Sequence, residues 1–226
     1  MINRRVDVVT VFAPRPHHEK WMDYLPLLEL QRRSTARQAG HNHIVVGDAD
    51  LPGFDVMKVA LPEPLMKLIL TAQVAYLEQW PGKWPAVLLD VDCLVNKNLL
   101  PAFSIGDWDI GLTHRASAVS PINNGAMYIA AGARDKALKF FSKALSICKD
   151  HWGGDQEAIS ECAAPVPRDD TVQMRDGIRI GYLPMHVYNI IPEVEGAYHR
   201  RHPYIIHFKG EKKKPWMKVY SDMYYK

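Results

Sequence analysis

The feature that most constrains this chain is an apolar run that leads directly into two carboxylates, Ala86-Val87-Leu88-Leu89-Asp90-Val91-Asp92. A run from Ala86 to Val95 between Pro85 and polar residues is typical of a buried strand in a parallel sheet. Side chains two apart on a strand share a face, so Asp90 and Asp92 are predicted to project together. A divalent cation such as Mn²⁺ or Mg²⁺ relieves the repulsion between paired carboxylates, whereas the alternative is two solvated acids at a strand end.

Composition points to a single soluble domain. The 226 residues are 47% hydrophobic and 23% charged, and the net charge of +3 gives no overall signature of nucleic-acid binding. The three cysteines have no metal-binding spacing, which indicates free thiols in a reducing compartment. No secretory signal and no apolar run of membrane-spanning length is recognisable. We therefore expect a cytoplasmic protein.

Strand-like and helix-like segments alternate along the chain. Short β-branched or apolar runs begin at Val6, His43, Val56, Ala86 and Trp108, with helical periodicity over 20–38, 63–79 and 134–148. This alternation predicts an α/β fold: one Rossmann-like domain over 1–210, with a mixed, mostly parallel sheet and helices on both faces. Residues 211–226 form a basic, aromatic tail.

A strand that ends in Asp-x-Asp has two well-known uses. In haloacid-dehalogenase-like phosphatases the first aspartate is a nucleophile, the second an acid/base, and Mg²⁺ binds beside them. That use also needs a second acidic pair, for which Asp169-Asp170 is the candidate. In that family the aspartate strand normally opens the domain, whereas here at least three strands precede it. The second use is metal binding in nucleotide-sugar glycosyltransferases.

Five separate segments favour the second use, because together they resemble the glycogenin and lipopolysaccharide galactosyltransferase family of retaining enzymes. The resemblance spans almost the whole chain. The segments, in order, are Leu88–Asp92, Asn123–Met127, Gly154–Gln156, Leu183–Asn189 and His207–Gly210 followed by Lys214-Pro215-Trp216. The last lysine lies one residue farther from the histidine than is usual in the family, so Lys212 and Lys213 are alternatives to Lys214.

The resemblance implies a GT-A fold and transfer of a sugar from a nucleotide diphosphate sugar, expected to be a UDP-sugar, with retention. It implies a DxD metal site for Mn²⁺ or Mg²⁺ formed by Asp90, Asp92 and His207. It also places Asp155 and Gln156 at the anomeric carbon, where Asp155 would stabilise positive charge or act as a transient nucleophile. A plain N-cap is the structural alternative for Asp155.

The same resemblance implies the remaining contacts. Two positions are acceptor contacts, Tyr188 and Asn189, although a core tyrosine is the alternative for Tyr188. The acceptor, an unknown glycan, protein or lipid-linked sugar, would meet loops 113–120 and 165–177. The expected donor-binding residues are Thr10, Ala13, Lys67, Val91, Asn123, Asn124, Gly125, Gly210 and Lys214.

Two further alternatives remain. The tail can rest on the inner membrane surface as a peripheral contact, or it can pack on the domain. The whole chain can also be a catalytically silent relic that binds nucleotides or glycans without turnover.

Overall fold

The computed structural model of this chain describes residues 5–14, 24–62, 65–114, 121–163, 171–195 and 202–225. Its centre is an eight-stranded sheet with the strand order β3-β2-β1-β4-β7-β6-β9-β8. The strands of this sheet are β1 (Val6–Val11), β2 (His41–Gly47), β3 (Val56–Lys58), β4 (Ala86–Leu89), β6 (Ile110–His114), β7 (Ile122–Ile129), β8 (Thr171–Arg175) and β9 (Ile178–Pro184). A smaller second sheet pairs β5 (Cys93–Val95) with β10 (Ile205–His207).

The large sheet is mixed, as the sequence predicts. Parallel pairing joins β1 to β2 and β4, β2 to β3, and β6 to β9. Strand β7 runs antiparallel to both β4 and β6, and β8 runs antiparallel to β9. The parallel half from β3 to β4 therefore ends beside an antiparallel strand, and polar residues collect at that junction.

Helices cover both faces because strand residues alternate in direction. One face packs on α2 (Leu65–Gln79), α3 (Arg134–Ile147) and α4 (Gly154–Ala163). The other face packs on the small sheet and on α1 (Leu25–Ala36), whose Leu28 contacts Phe12 and Val45. A single turn, α5 (Met185–Tyr188), follows β9, and 3₁₀ turns occupy Leu100–Ser104 and Glu211–Lys213.

The strand predicted from Ala86 to Val95 is wrong in one respect. Strand β4 ends at Leu89, and the backbone N–H of Cys93 donates to the Asp90 carbonyl at 3.2 Å, which closes a turn. The chain then enters β5 of the other sheet. Asp90 and Asp92 consequently lie in a turn and do not share a strand face. A second correction concerns the predicted loop 165–177, which contains β8.

The C-terminal segment contains a helix, α6 (Lys214–Tyr224), that packs on the domain. Met217 and Tyr220 are buried in a cluster with Ile206 and Phe208. No helix in the described part of the chain has both the length and the apolar composition that a membrane span requires.

One buried carboxylate joins three elements. Asp109, which is 5% exposed, accepts hydrogen bonds from the Arg179 guanidinium at 2.9 Å and the Lys136 ammonium at 2.8 Å. Burial alone would raise its pKa, but these bonds outweigh that effect and lower the pKa of Asp109 to about 2. Asp109 therefore connects the start of β6 to β9 and α3.

We predict that Asp109→Asn lowers the free energy of unfolding at pH 7 by about 2 kcal/mol. Because the folded-state pKa is depressed, this stabilisation is complete above about pH 4 and is lost as pH falls towards 2. Urea unfolding at pH 7 and pH 2.5 measures both values. The matched control is Asp107→Asn, since Asp107 also pairs with Arg179 but is 87% exposed. Equal losses for the two variants, or a pH-independent loss, would contradict the prediction.

Candidate active site

The turn after β4 carries Asp90 and Asp92, and strand β10 brings His207 to them. Register pairs His207 with Cys93, and the Phe208 N–H donates to the Asp92 carbonyl at 2.8 Å. The His207 Nε2 atom lies 3.2 Å from Asp92 Oδ1 and 3.7 Å from Asp90 Oδ2. The structure thus brings together the three side chains predicted as metal ligands.

The two carboxylates have different electrostatic environments. Burial raises the pKa of Asp90 to about 6, and the negative charges of Asp92 and Asp155 act in the same direction. Burial also disfavours the charged form of Asp92, but His207 and Lys214 outweigh it and the pKa of Asp92 is lowered. Asp90 is the more exposed of the pair, at 38% against 13%.

The donor atoms at this turn fit a divalent cation. His207 is 1% exposed, its Nε2 atom faces both carboxylates, and its Nδ1 atom has no hydrogen-bond partner among the described residues. Possible ligand atoms of Asp92, Cys93 and His207 also lie within 4.8 Å of one another. Burial raises the pKa of the Cys93 thiol well above its usual value, and this neutral thiol donates to the Gly125 carbonyl. Asp90, Asp92 and His207 thus offer two carboxylates and an imidazole beside the Cys93 thiol, a donor set that fits Mn²⁺ or Mg²⁺.

Gly125 makes room for the histidine. A Cβ at this position would lie 2.2 Å from His207 Cε1 and 3.1 Å from Asp90 Oδ2. The Gly125 carbonyl also accepts a hydrogen bond from the Asp90 N–H at 3.0 Å. The resemblance predicts that Gly125 contacts the donor sugar. The structure adds a second reason for glycine, because any side chain at this position would collide with the His207 imidazole.

A β-bulge places Gly125 at this position. Leu112 of β6 pairs with Met127, but the next residue, Thr113, pairs with Asn123. The Thr113 hydroxyl donates to the Asn123 carbonyl at 2.7 Å and accepts from Asn189 Nδ2 at 3.1 Å. Asn189, predicted to contact the acceptor, is fully buried, and its hydrogen bond to Thr113 supports the bulge.

Tyr188 lies in the core. It is 2% exposed, packs edge-on against Tyr128, and stacks on Tyr204. A side chain enclosed in this way is not placed to contact an acceptor, so the structure favours the core alternative that the sequence left open.

Asp155 and Gln156 lie in the first turn of α4, facing the bulge. Asn124 Nδ2 donates to Asp155 Oδ2 at 2.5 Å, and Lys209 Nζ lies 3.4 Å from Gln156 Oε1. Burial raises the pKa of Asp155. Because α4 begins at Gly154, Asp155 is the second residue of the helix and not its N-cap.

Both lysines predicted to bind the donor, Lys67 and Lys214, are paired with acids. Lys67 pairs with Asp150 at 3.2 Å. Lys214 pairs with Glu211 at 2.5 Å and sits 3.7 Å from the centre of the Tyr24 ring. Lys214 also contributes to the low pKa of Asp92, which places its charge near the turn.

The structure also describes three more of the predicted donor positions. Ala13 is buried just past the carboxyl end of β1, and Val91, between Asp90 and Asp92 in the turn, packs against α1 residues. Gly210 has a φ of +92°, a conformation that favours glycine.

Sequence reasoning missed Gln31, a fully buried residue of α1. Its Oε1 accepts from the Thr10 hydroxyl at 2.5 Å and lies 3.0 Å from His43 Nε2, and its Nε2 donates to the Asp90 carbonyl at 2.7 Å. Burial lowers the pKa of His43 to about 4, so a neutral imidazole donates to Gln31. Thr10 is therefore linked to the turn by a chain of hydrogen bonds through Gln31 to the Asp90 carbonyl. A threonine within the apolar run of β1 was the available signal.

No protein-family model and no curated protein sequence matches this chain. Solved structures do. A glycosyltransferase involved in the glycosylation of the major capsid of PBCV-1 has a TM-score of 0.59 at 17% identity, over 97% of this chain and 99% of that one. The glycosyltransferase GlyE of Streptococcus pneumoniae TIGR4 has a TM-score of 0.61 at 15% identity, over 96% of this chain and 60% of that one. This chain has a GT-A glycosyltransferase fold.

The GT-A likeness also includes the galactosyltransferase LgtC, solved in complex with donor and acceptor sugar analogues. The TM-score is 0.51 at 13% identity, and the match covers 96% of this chain and 95% of LgtC. The expected GT-A architecture is confirmed by these structures. Against GlyE the chain spans about three fifths of the length.

We predict that Gln31→Met destabilises the GT-A domain by about 3 kcal/mol, because the Thr10 hydroxyl and the His43 imidazole lose their buried partner and the Asp90 carbonyl loses one of its two donors. Chemical unfolding at pH 7 measures the loss. Gln79→Met is the matched control, since Gln79 is exposed at the end of α2 and a change there is expected to cost less than about 0.5 kcal/mol. Similar losses in the two variants would show that the network contributes little.

Proposed function

We propose that this protein transfers a sugar from a nucleotide diphosphate sugar, a UDP-sugar, to an acceptor with retention, using Mn²⁺ or Mg²⁺. One observation carries the proposal: Asp90, Asp92 and His207 converge at the carboxyl end of the central strand β4, near Asp155 and Gln156 at the start of α4. A fold shared with glycosyltransferases supports it.

The proposed metal ligands are Asp90, Asp92 and His207. When bound, the ion supplies Lewis-acid stabilisation to the negative charge on the departing diphosphate. Gly210 allows the backbone to approach the phosphates, and Lys214 reaches them by exchanging its ion pair with Glu211.

The proposed sugar site lies between the bulge and α4. Asn124 holds the Asp155 carboxylate by a hydrogen bond, which orients it towards the space beside the turn. An ionised Asp155 stabilises the positive charge that develops at the anomeric carbon. Gln156 is the neighbouring polar group on the same helix turn. Asn123, predicted to bind the donor, is fully buried, and its Oδ1 accepts from the Gly125 N–H at 3.0 Å, so it shapes this wall from within the bulge.

Acceptor and location are also proposals. LgtC was solved with an acceptor sugar analogue, which favours a sugar on the acceptor, whether glycan, protein-bound or lipid-linked. On α6 the exposed side chains include Val219, Met223 and Tyr224, with Lys218 beside them. That surface is compatible with peripheral contact at the inner face of a membrane in the cytoplasm.

We predict that one nucleotide sugar from a panel is hydrolysed slowly in the presence of Mn²⁺ and no acceptor. Asp92→Asn is expected to reduce this release about 100-fold or more, because it removes a ligand charge. Asp222→Asn, an exposed change on α6, is the control with the same chemistry and is expected to leave the rate unchanged. Nucleotide release by chromatography, with and without chelator, is the measurement.

The other outcomes separate the alternatives. Release of inorganic phosphate from phosphate esters, without use of a nucleotide sugar, would favour a phosphatase; its candidate pair Asp169-Asp170 lies outside the described residues. Metal-dependent thermal stabilisation by a nucleotide without turnover, even with sugar acceptors added, would favour the binding relic. Neither release nor stabilisation would contradict the proposed function.

A further inference from the structure

Lys209 is a cation of the candidate active site that the sequence motifs do not assign. It lies between the buried His207 and Gly210, on the segment anchored by the hydrogen bond from the Phe208 N–H to the Asp92 carbonyl. Its side chain is exposed, and its Nζ atom lies 3.4 Å from Gln156 Oε1. Among the residues that the structure describes, Lys209 makes no ion pair.

The position of Lys209 links two parts of the site. Its Nζ atom contacts Gln156, the residue that follows Asp155 on α4, and its backbone directly follows Phe208, whose N–H donates to the Asp92 carbonyl. The ammonium group therefore lies between the metal-binding turn and α4, close enough to influence each.

The two predicted donor-binding lysines differ from Lys209 in their partners. Lys214 is paired with Glu211, and Lys67 is paired with Asp150. Lys209 instead donates to a neutral amide, and an ammonium group has three N–H donors. Two donors remain for an anion that enters the site, and no carboxylate has to be displaced first.

We propose that Lys209 binds the diphosphate of the donor and that, before a nucleotide enters, the same charge weakens binding of the divalent cation. This inference rests on the proposed function, because it takes the ligand to be a nucleoside diphosphate with a metal ion. The two effects have opposite signs. A bound diphosphate is attracted by the ammonium group, whereas a divalent cation between Asp90 and Asp92 is repelled by it.

The test is calorimetric titration of the whole chain, first with MnCl₂ alone and then with UDP, GDP, ADP and CDP at saturating Mn²⁺. The variants are Lys209→Met and the charge-retaining Lys209→Arg. Lys218→Met, which removes the same charge from an exposed position on α6, is the matched control. Thermal unfolding of each variant confirms that the fold is retained.

We expect Lys209→Met to weaken the preferred nucleoside diphosphate at least about tenfold, the usual size of a lost hydrogen bond to a charged group. The same variant is expected to bind Mn²⁺ alone about two- to fivefold more tightly, because a nearby like charge has been removed. Lys209→Arg is expected to stay close to the wild type in both titrations, and Lys218→Met to change neither.

Each other result has a defined meaning. Unchanged nucleotide binding in Lys209→Met overturns the inference and leaves the proposed function intact. Weaker binding of both Mn²⁺ and nucleotide also overturns it, since a purely structural role through Gln156 moves both constants in one direction. A wild-type chain that binds no nucleoside diphosphate with Mn²⁺ contradicts the proposed function itself, and the inference falls with it.

Discussion

The site depends on how the backbone of one turn is held. The Asp90 carbonyl accepts from Gln31, the Asp90 N–H donates to the bulge at Gly125, and the Asp92 carbonyl accepts from the Phe208 N–H. These bonds come from α1, β7 and the segment after β10. The carboxylates of Asp90 and Asp92 repel each other, and burying their charges beside His207 is costly. A fixed backbone is therefore needed to hold the two side chains in place. Three independent anchors provide that rigidity.

Several features of the fold and site could be predicted from residue patterns. The alternation of apolar strands and amphipathic helices indicated an α/β sheet, and the pattern of the apolar run paired Asp90 with Asp92. The addition of His207, 115 residues after Asp92, came from the resemblance to a glycosyltransferase family. The continuous strand to Val95 was wrong because apolar residues on both sides of the turn look alike in sequence. Nothing in that pattern reveals that the chain leaves the large sheet after Leu89 and that Cys93 pairs with β10 in the small sheet.

Long-range partners explain what the sequence could not show. Gln31 is one of several polar residues on α1, and its partner Asp90 lies 59 residues away. The bulge at Asn123–Gly125 depends on the Thr113 hydroxyl, which only the pairing of β6 with β7 brings into place. Gly125 itself could be predicted as a site residue, but the fit of the His207 imidazole could not.

The acids and the cations of the site are held differently. Asp92 and Asp155 are largely buried, and each has a side-chain partner: His207 for Asp92 and Asn124 for Asp155. Lys67 and Lys214 are held by ion pairs whose acidic partners are exposed. Exposed ion pairs contribute at most about 1 kcal/mol, so a phosphate group can replace Glu211 or Asp150 at small cost. The arrangement therefore combines buried carboxylates, which are the proposed cation ligands and sugar contacts, with lysines whose exposed ion pairs can be exchanged for an anion.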